Sequence, residues 1–202
     1  MKNKIIINKK DQILIASHNG GKVKEINILL SPLGLKAIPI SKFSKIEPIE
    51  NGNTFEENAL IKAQYANSLT GMNALSDDSG LCIEALNGEP GIYSARWAGP
   101  KKDFSIAMNK IKKMLKNKDN KNAYFVCALA LVTKSKKSLC FTGKVRGKIS
   151  FPPKGNNGFG YDPIFIPHSN NISFGEMLPN EKDLISHRTI AFNKFKETII
   201  VK

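Results

Sequence analysis

The chain is poor in cysteine, in acid and in long apolar runs. Its three cysteines, Cys82, Cys127 and Cys140, are odd in number and form no CxxC pair, which argues against a disulfide framework and against a zinc ribbon. Each lies in an apolar stretch (GLCIEAL, YFVCALAL, SLCFTG) and reads as a reduced core thiol. No apolar run approaches the ~20 residues a membrane-spanning helix needs. The opening MKNKIIINKKDQ has an apolar patch too short for a secretory core and no small-residue cleavage site. A cytoplasmic protein with no membrane contact is expected. Asp and Glu total 17 against 31 Lys and Arg, a formal net charge of +14. That balance admits an anionic partner. The lysines are spread out, however, and are densest in 101–122, with no arginine-rich arm and no interleaved aromatics. That stretch reads as the solvated face of a helix, and no dedicated nucleic-acid surface is expected.

What is present suits a globular fold. Hydrophobic residues make up 41% of 202 positions, enough for a core without disulfide or metal staples. No repeat or linker interrupts the chain, so one domain over 1–202 is expected, with residues 1–12 a short N-terminal extension of no evident role. The run Ile13 to Ala16 predicts a buried strand, followed by a Gly turn and a helix from about Lys22 to Leu30 that Ser31-Pro32 ends. Lys36 to Ile40 predicts a second strand. Thr54 to Asn67 predicts a helix, with Thr54 and Glu57 at capping-box spacing and Gly71 beyond its end. Ala74 to Ser76 and Leu81 to Glu84 read as two strands or one bent strand. Residues 103–117 predict a basic amphipathic helix, 123–134 and 138–146 a strand pair, and Thr189 to Val201 a terminal helix. Strands and helices alternate early and strands pair later, the pattern of an α/β domain with a mixed sheet.

Four stretches could carry chemistry. In ASHNGGKVKE (16–25) a polar Gly turn leads from a strand into a helix opened by Lys22. Such a turn can offer backbone N–H groups and a point charge to phosphate, or be an ordinary Asn-Gly connection. It is not a P-loop, since Ala16 stands where the first Gly belongs and Val23 follows the lysine. The adjacent Asp77 and Asp78 join Glu47, Glu50, Glu56 and Glu57 in an acidic stretch of a basic protein. Neighbouring residues of a strand point to opposite faces. The pair is either a solvated turn or a site where a cation sits among carboxylates, as Mg2+ does with a few carboxylates, waters and substrate phosphates. GNNGFGYDPIF (155–165) reads as a hairpin loop with core aromatics, or as a stacking face from Phe159 and Tyr161 with Asp162 reading a base edge. In EKDLISHRTIAF (181–192), Ser186 suits the N-cap of the last helix. His187 and Arg188 then sit in its first turn against the dipole, a misfit that an anionic or carbonyl-bearing ligand would offset.

Taken together and in order, SHNGGKVKEI, NGNTFEENALIKAQYA, DDSGLCIEALNGEPGIYSARWAG, GNNGFGYDPIF and EKDLISHRTIAF resemble the inosine triphosphate pyrophosphatase family, over Ile13 to about Lys196. The resemblance implies an elongated α/β fold, with a mixed twisted sheet, flanking helices and two lobes around a central cleft, assembled as a homodimer. It implies hydrolysis of deaminated purine triphosphates (ITP, dITP, XTP) to monophosphate and pyrophosphate with Mg2+. Carried onto this chain, Ser17, His18, Asn19, Gly20, Gly21 and Lys22 would hold phosphates. Asp78 would be the general base and a metal contact, with Glu50 the second metal-binding acid and Asp77 in support. Ser79 would touch the substrate. Phe159, Gly160, Tyr161 and Asp162 would stack on and frame the base, and Lys182, His187 and Arg188 would read it. The chain departs from the family at His18, where glycine is usual; if that position needs a positive φ, His18 bears strain.

Overall fold

The computed structural model describes residues 4–202. Six strands form a mixed sheet in the order β3 (Lys36–Pro39), β2 (Gln12–Ile15), β4 (Asn73–Ile83), β5 (Asn122–Val132), β6 (Ser138–Ile149), β7 (Phe165–Pro167). Strand β2 is parallel to both neighbours, pairing Ile13 with Ala37 and with Asn73, while β6 and β7 are antiparallel. Helices α1 (Gly20–Leu30), α2 (Phe55–Thr70), α3 (Phe104–Met114), α4 (Pro179–Ile185) and α5 (His187–Thr198) complete the α/β architecture. Among the described residues no helix is long and apolar enough to cross a membrane.

The chain divides into two compact units. The first holds residues up to Asp78, 127–143 and 189–202. Its core joins Ile13, Ile15, Ile26, Leu75, Leu129 and Phe195, all buried. The second holds 79–126 and 144–188. Its core joins Leu81, Ile111, Phe125, Tyr161, Phe165 and Phe174. In it, Phe125, Phe165 and Phe174 pack with ring centroids 4.7 to 6.1 Å apart.

Several elements differ from their expected form. Of the two forms expected for 74–84, one continuous strand is found, β4, and the acidic pair lies inside it rather than in a solvated turn. The C-terminal helix stops at Thr198, and Ile199–Val201 forms a strand, β8, parallel to β1 (Ile5–Ile7). The β-branched run at each end explains this: two isoleucine-rich edges pair more readily than they extend a helix. The extension 1–12 therefore has a structural use within its described part, since Ile5 and Ile7 are buried in the first core; residues 1–3 lie outside the described residues. The helix 103–117 is shorter, ending at Met114, and its lysines 110, 112 and 113 are exposed as expected.

Candidate active site

In the first unit, alternation along β4 assigns each acid its own helix. Ala74, Ser76 and Asp78 face α2: Ala74 packs with Ala66, the Ser76 hydroxyl donates to the Ala59 carbonyl, and the Asp78 carboxylate lies 3.6 Å from Lys62 Nζ. Leu75 and Asp77 face the other way; Leu75 packs with Ile26 and Leu30 of α1, and Asp77 Oδ2 meets Lys22 Nζ at 3.1 Å. Both aspartates are buried, as buried charges require partners. Lys62 also holds Glu50 Oε1 at 2.6 Å, so one ammonium touches the two carboxylates expected to bind metal. Burial pushes the Asp78 carboxyl above the usual aspartate value of 3.8, with Lys62 and Lys22 opposing the rise. For Lys62 burial acts downward, but the carboxylates of Asp78, Asp77 and Glu50 outweigh it and the ammonium is held above its ordinary range.

Lys62 was not among the residues expected from sequence. A signal existed: Ala59, Ala63 and Ala66 form a small-residue stripe that brings α2 close to β4, and a lysine at position 62 lies beside that stripe.

The turn Ser17–Lys22 is shaped by its own side chains. Ser17 Oγ accepts from the Asn19 N–H, and Asn19 Oδ1 accepts from the N–H groups of Gly21 and Lys22. Asn19 is thus the N-cap of α1. His18 does not adopt a positive φ, so the strain anticipated there is absent. Its ring turns to the Ser44 carbonyl and the Glu47 carboxylate. A groove of about 340 Å³ borders this turn, lined by Ser17, His18, Lys24, Asn27 and Pro39 among others. None of Lys22, Glu50 or Asp78 lines it, so it lies off the carboxylates.

In the second unit Asp162 organises the Gly-rich loop. Its Oδ2 takes the Phe159 N–H at 2.8 Å and Lys182 Nζ at 2.6 Å. Lys182 is buried and lies 4.8 Å from the centre of the Phe159 ring, which is itself partly exposed. Gly158, at φ +73°, leaves the space this cluster needs; a Cβ there would approach Asp162 Oδ2 to 2.1 Å. The Tyr161 ring is buried edge-on against Phe104 and its hydroxyl donates to the Ser94 carbonyl. Gly160, at φ +69°, packs near Phe104. Ser186 has extended backbone just before α5, in the expected place. His187 stacks on Phe125 with centroids 4.9 Å apart and planes 11° from parallel. Arg188, buried at the start of α5, donates from Nη2 to Ser79 Oγ at 3.3 Å.

A buried lysine–carboxylate set thus lies on β4 of this α/β protein, and a capped turn opens α1 in the same unit. The chain belongs to the Ham1 family, which it matches over residues 13–198. It is 47% identical to a dITP/XTP pyrophosphatase of Zymomonas mobilis, over 91% of this chain and 89% of that one. It is 45% identical to a dITP/XTP pyrophosphatase of Caulobacter vibrioides, over 93% and 97%. Among solved structures, a HAM1 protein from Coxiella burnetii superposes with a TM-score of 0.85 at 40% identity, over 93% of this chain and 97% of that one. The Staphylococcus aureus Ham1 protein gives 0.84 at 37%, with the same coverage.

Proposed function

We propose that this protein is a Mg2+-dependent nucleoside-triphosphate pyrophosphatase that converts dITP, ITP and XTP to the monophosphate and pyrophosphate. The observation that carries the reading is the cluster of Glu50, Lys62, Asp78, Asp77 and Lys22. Relatives at 45–47% identity that carry the dITP/XTP pyrophosphatase name support it. A cytoplasmic setting and a homodimer belong to the same proposal.

The residues fit a divalent cation. Glu50 and Asp78 are near enough to share one cation, since the single Lys62 ammonium meets both. No group of three or more His, Cys, Asp or Glu side chains that could cage a metal occurs among the described residues. Mg2+ takes one or two carboxylates and fills the rest of its shell with water and substrate phosphates. Glu50 and Asp78 would hold it, and it would withdraw charge from the phosphate oxygens.

Asp78 acts as general base. Burial makes its carboxylate more basic than an ordinary aspartate. It accepts a proton from a water whose oxygen attacks the α-phosphorus in line. The bond from that phosphorus to the bridging oxygen breaks, and pyrophosphate leaves with the electron pair. Lys22 and Lys62 offset charge on the phosphates, with Asp77 holding the Lys22 ammonium in place. In the second unit, Phe159 offers a stacking face and Lys182, held by Asp162, offers donors to the 6-oxo group of hypoxanthine or xanthine, with His187 and Arg188 beside it in sequence. Adenine would turn an amino donor toward a donor, a mismatch of about 1–3 kcal/mol.

Hydrolysis of dITP in 18O-labelled water tests the bond cleaved. Label in dIMP is expected. Label in pyrophosphate would place attack at the β-phosphorus and overturn the mechanism.

A further inference from the structure

Glu50 stands in a segment, 44–54, that is neither helix nor strand, yet it must meet a cation held also by Asp78 of a rigid strand. The segment is tied at both ends. At its end, the Gly52 N–H donates to Asn58 Oδ1 at 2.9 Å and the Asn53 N–H to Glu57 Oε2 at 2.6 Å. At its start, Ser44 Oγ meets the Tyr65 hydroxyl at 3.2 Å. The remaining tie comes from the phosphate turn: His18 Nε2 lies 3.0 Å from the Ser44 carbonyl oxygen, and Nδ1 lies 3.2 Å from Glu47 Oε1. Both partners only accept, so making both hydrogen bonds takes a proton on each ring nitrogen. Glu47 is largely exposed, and that contact alone contributes little. The more sheltered bond to the Ser44 carbonyl fixes the geometry.

We propose that His18 is a positioning residue that clasps segment 44–50 to the turn Ser17–Lys22, so that Glu50 and Lys22 are presented to one triphosphate in a set geometry. The inference rests on the pyrophosphatase reading and assigns the residue that departs from the family's usual glycine a role of its own. His18 holds these contacts without a positive φ, and the turn itself is capped by Asn19.

The test compares wild type with His18→Ala, His18→Gln and Glu47→Gln. The readouts are calorimetric affinity for an α,β-imido analogue of ITP and amide hydrogen exchange across 44–50. His18→Ala is expected to weaken analogue binding roughly tenfold, the scale of a misplaced binding group. It should speed exchange in 44–50 and leave α2 unchanged. His18→Gln, which can still donate to the Ser44 carbonyl, should recover part of both effects, and Glu47→Gln should show a smaller loss. Unchanged exchange in 44–50, or unchanged affinity, in His18→Ala would overturn the clasp. A wild type that neither binds the analogue nor turns over dITP would overturn the parent reading, and the clasp's catalytic meaning with it.

Discussion

A basic chain can bury two adjacent aspartates because each meets a lysine from a different helix. Asp77 is matched by Lys22 and Asp78 by Lys62. Replacing Asp78 with Asn keeps the shape and removes the base. Turnover should fall by roughly 10²–10⁴-fold while the thermal transition persists; retained turnover would remove Asp78 from its role. Its titration gives a second expectation. The base works only when ionised, so activity is lost as pH falls through the folded pKa. Burial raises that pKa in the metal-free protein, so the Asp78 carboxyl, followed by NMR without Mg2+, should titrate above the ordinary aspartate value of 3.8. Titration at or below it would contradict the burial argument. At this scale the sequence was only partly legible. The carboxylates stood out against the lysine excess, but Lys62 looked like one more lysine among many, because only the packing of α2 on β4 sets it apart. Tyr161 was ambiguous: an aromatic in a glycine-rich loop suits stacking and core equally, and its hydroxyl lies 2.8 Å from the Ser94 carbonyl oxygen.

Among the elements, strands and helices were readable wherever hydrophobic period and caps agreed. Thr54 accepts from the Glu57 N–H and Gly71 adopts φ +69°, as their spacing foretold for α2. The ends were less readable. Nothing local announces that Ile5–Ile7 will find Ile199–Val201, since the pairing joins residues nearly the whole chain apart. Ile7 is fully buried in that contact, and Ile7→Ala should cost ~2–4 kcal/mol, read from denaturant unfolding. A negligible change would mean β1 adds nothing to the core. Segment 44–54 makes a different expectation. A Cβ on Gly52 would sit 2.6 Å from Glu57 Cβ and 2.8 Å from Asn58 Oδ1. Gly52→Ala should therefore displace the backbone near Glu50 and lower turnover by roughly tenfold, with most of the stability intact. Wild-type kinetics in that variant would show that the segment has slack.

At the scale of the whole molecule, the α/β class and the mixed sheet followed from alternation, and the family from motifs distributed from one end to the other. The division into two units was implied by the resemblance alone and by no boundary in the chain, because β4, β5 and β6 each run from one unit into the other with no linker to mark the passage. The charge of +14 suits a polyanionic substrate in sign, and the carboxylates of Glu50 and Asp78, gathered at Lys62, are where the proposed cation would sit. Chelation by EDTA should abolish turnover and added Mg2+ restore it; activity indifferent to chelation would remove Glu50 and Asp78 as metal ligands. The most direct measurement is product analysis with purified protein, Mg2+ and separate incubations with dITP, ITP, XTP, GTP and ATP, resolving pyrophosphate from phosphate. Monophosphate and pyrophosphate are expected from dITP, ITP and XTP, with little from ATP. Diphosphate and phosphate, or equal turnover of ATP, would contradict it.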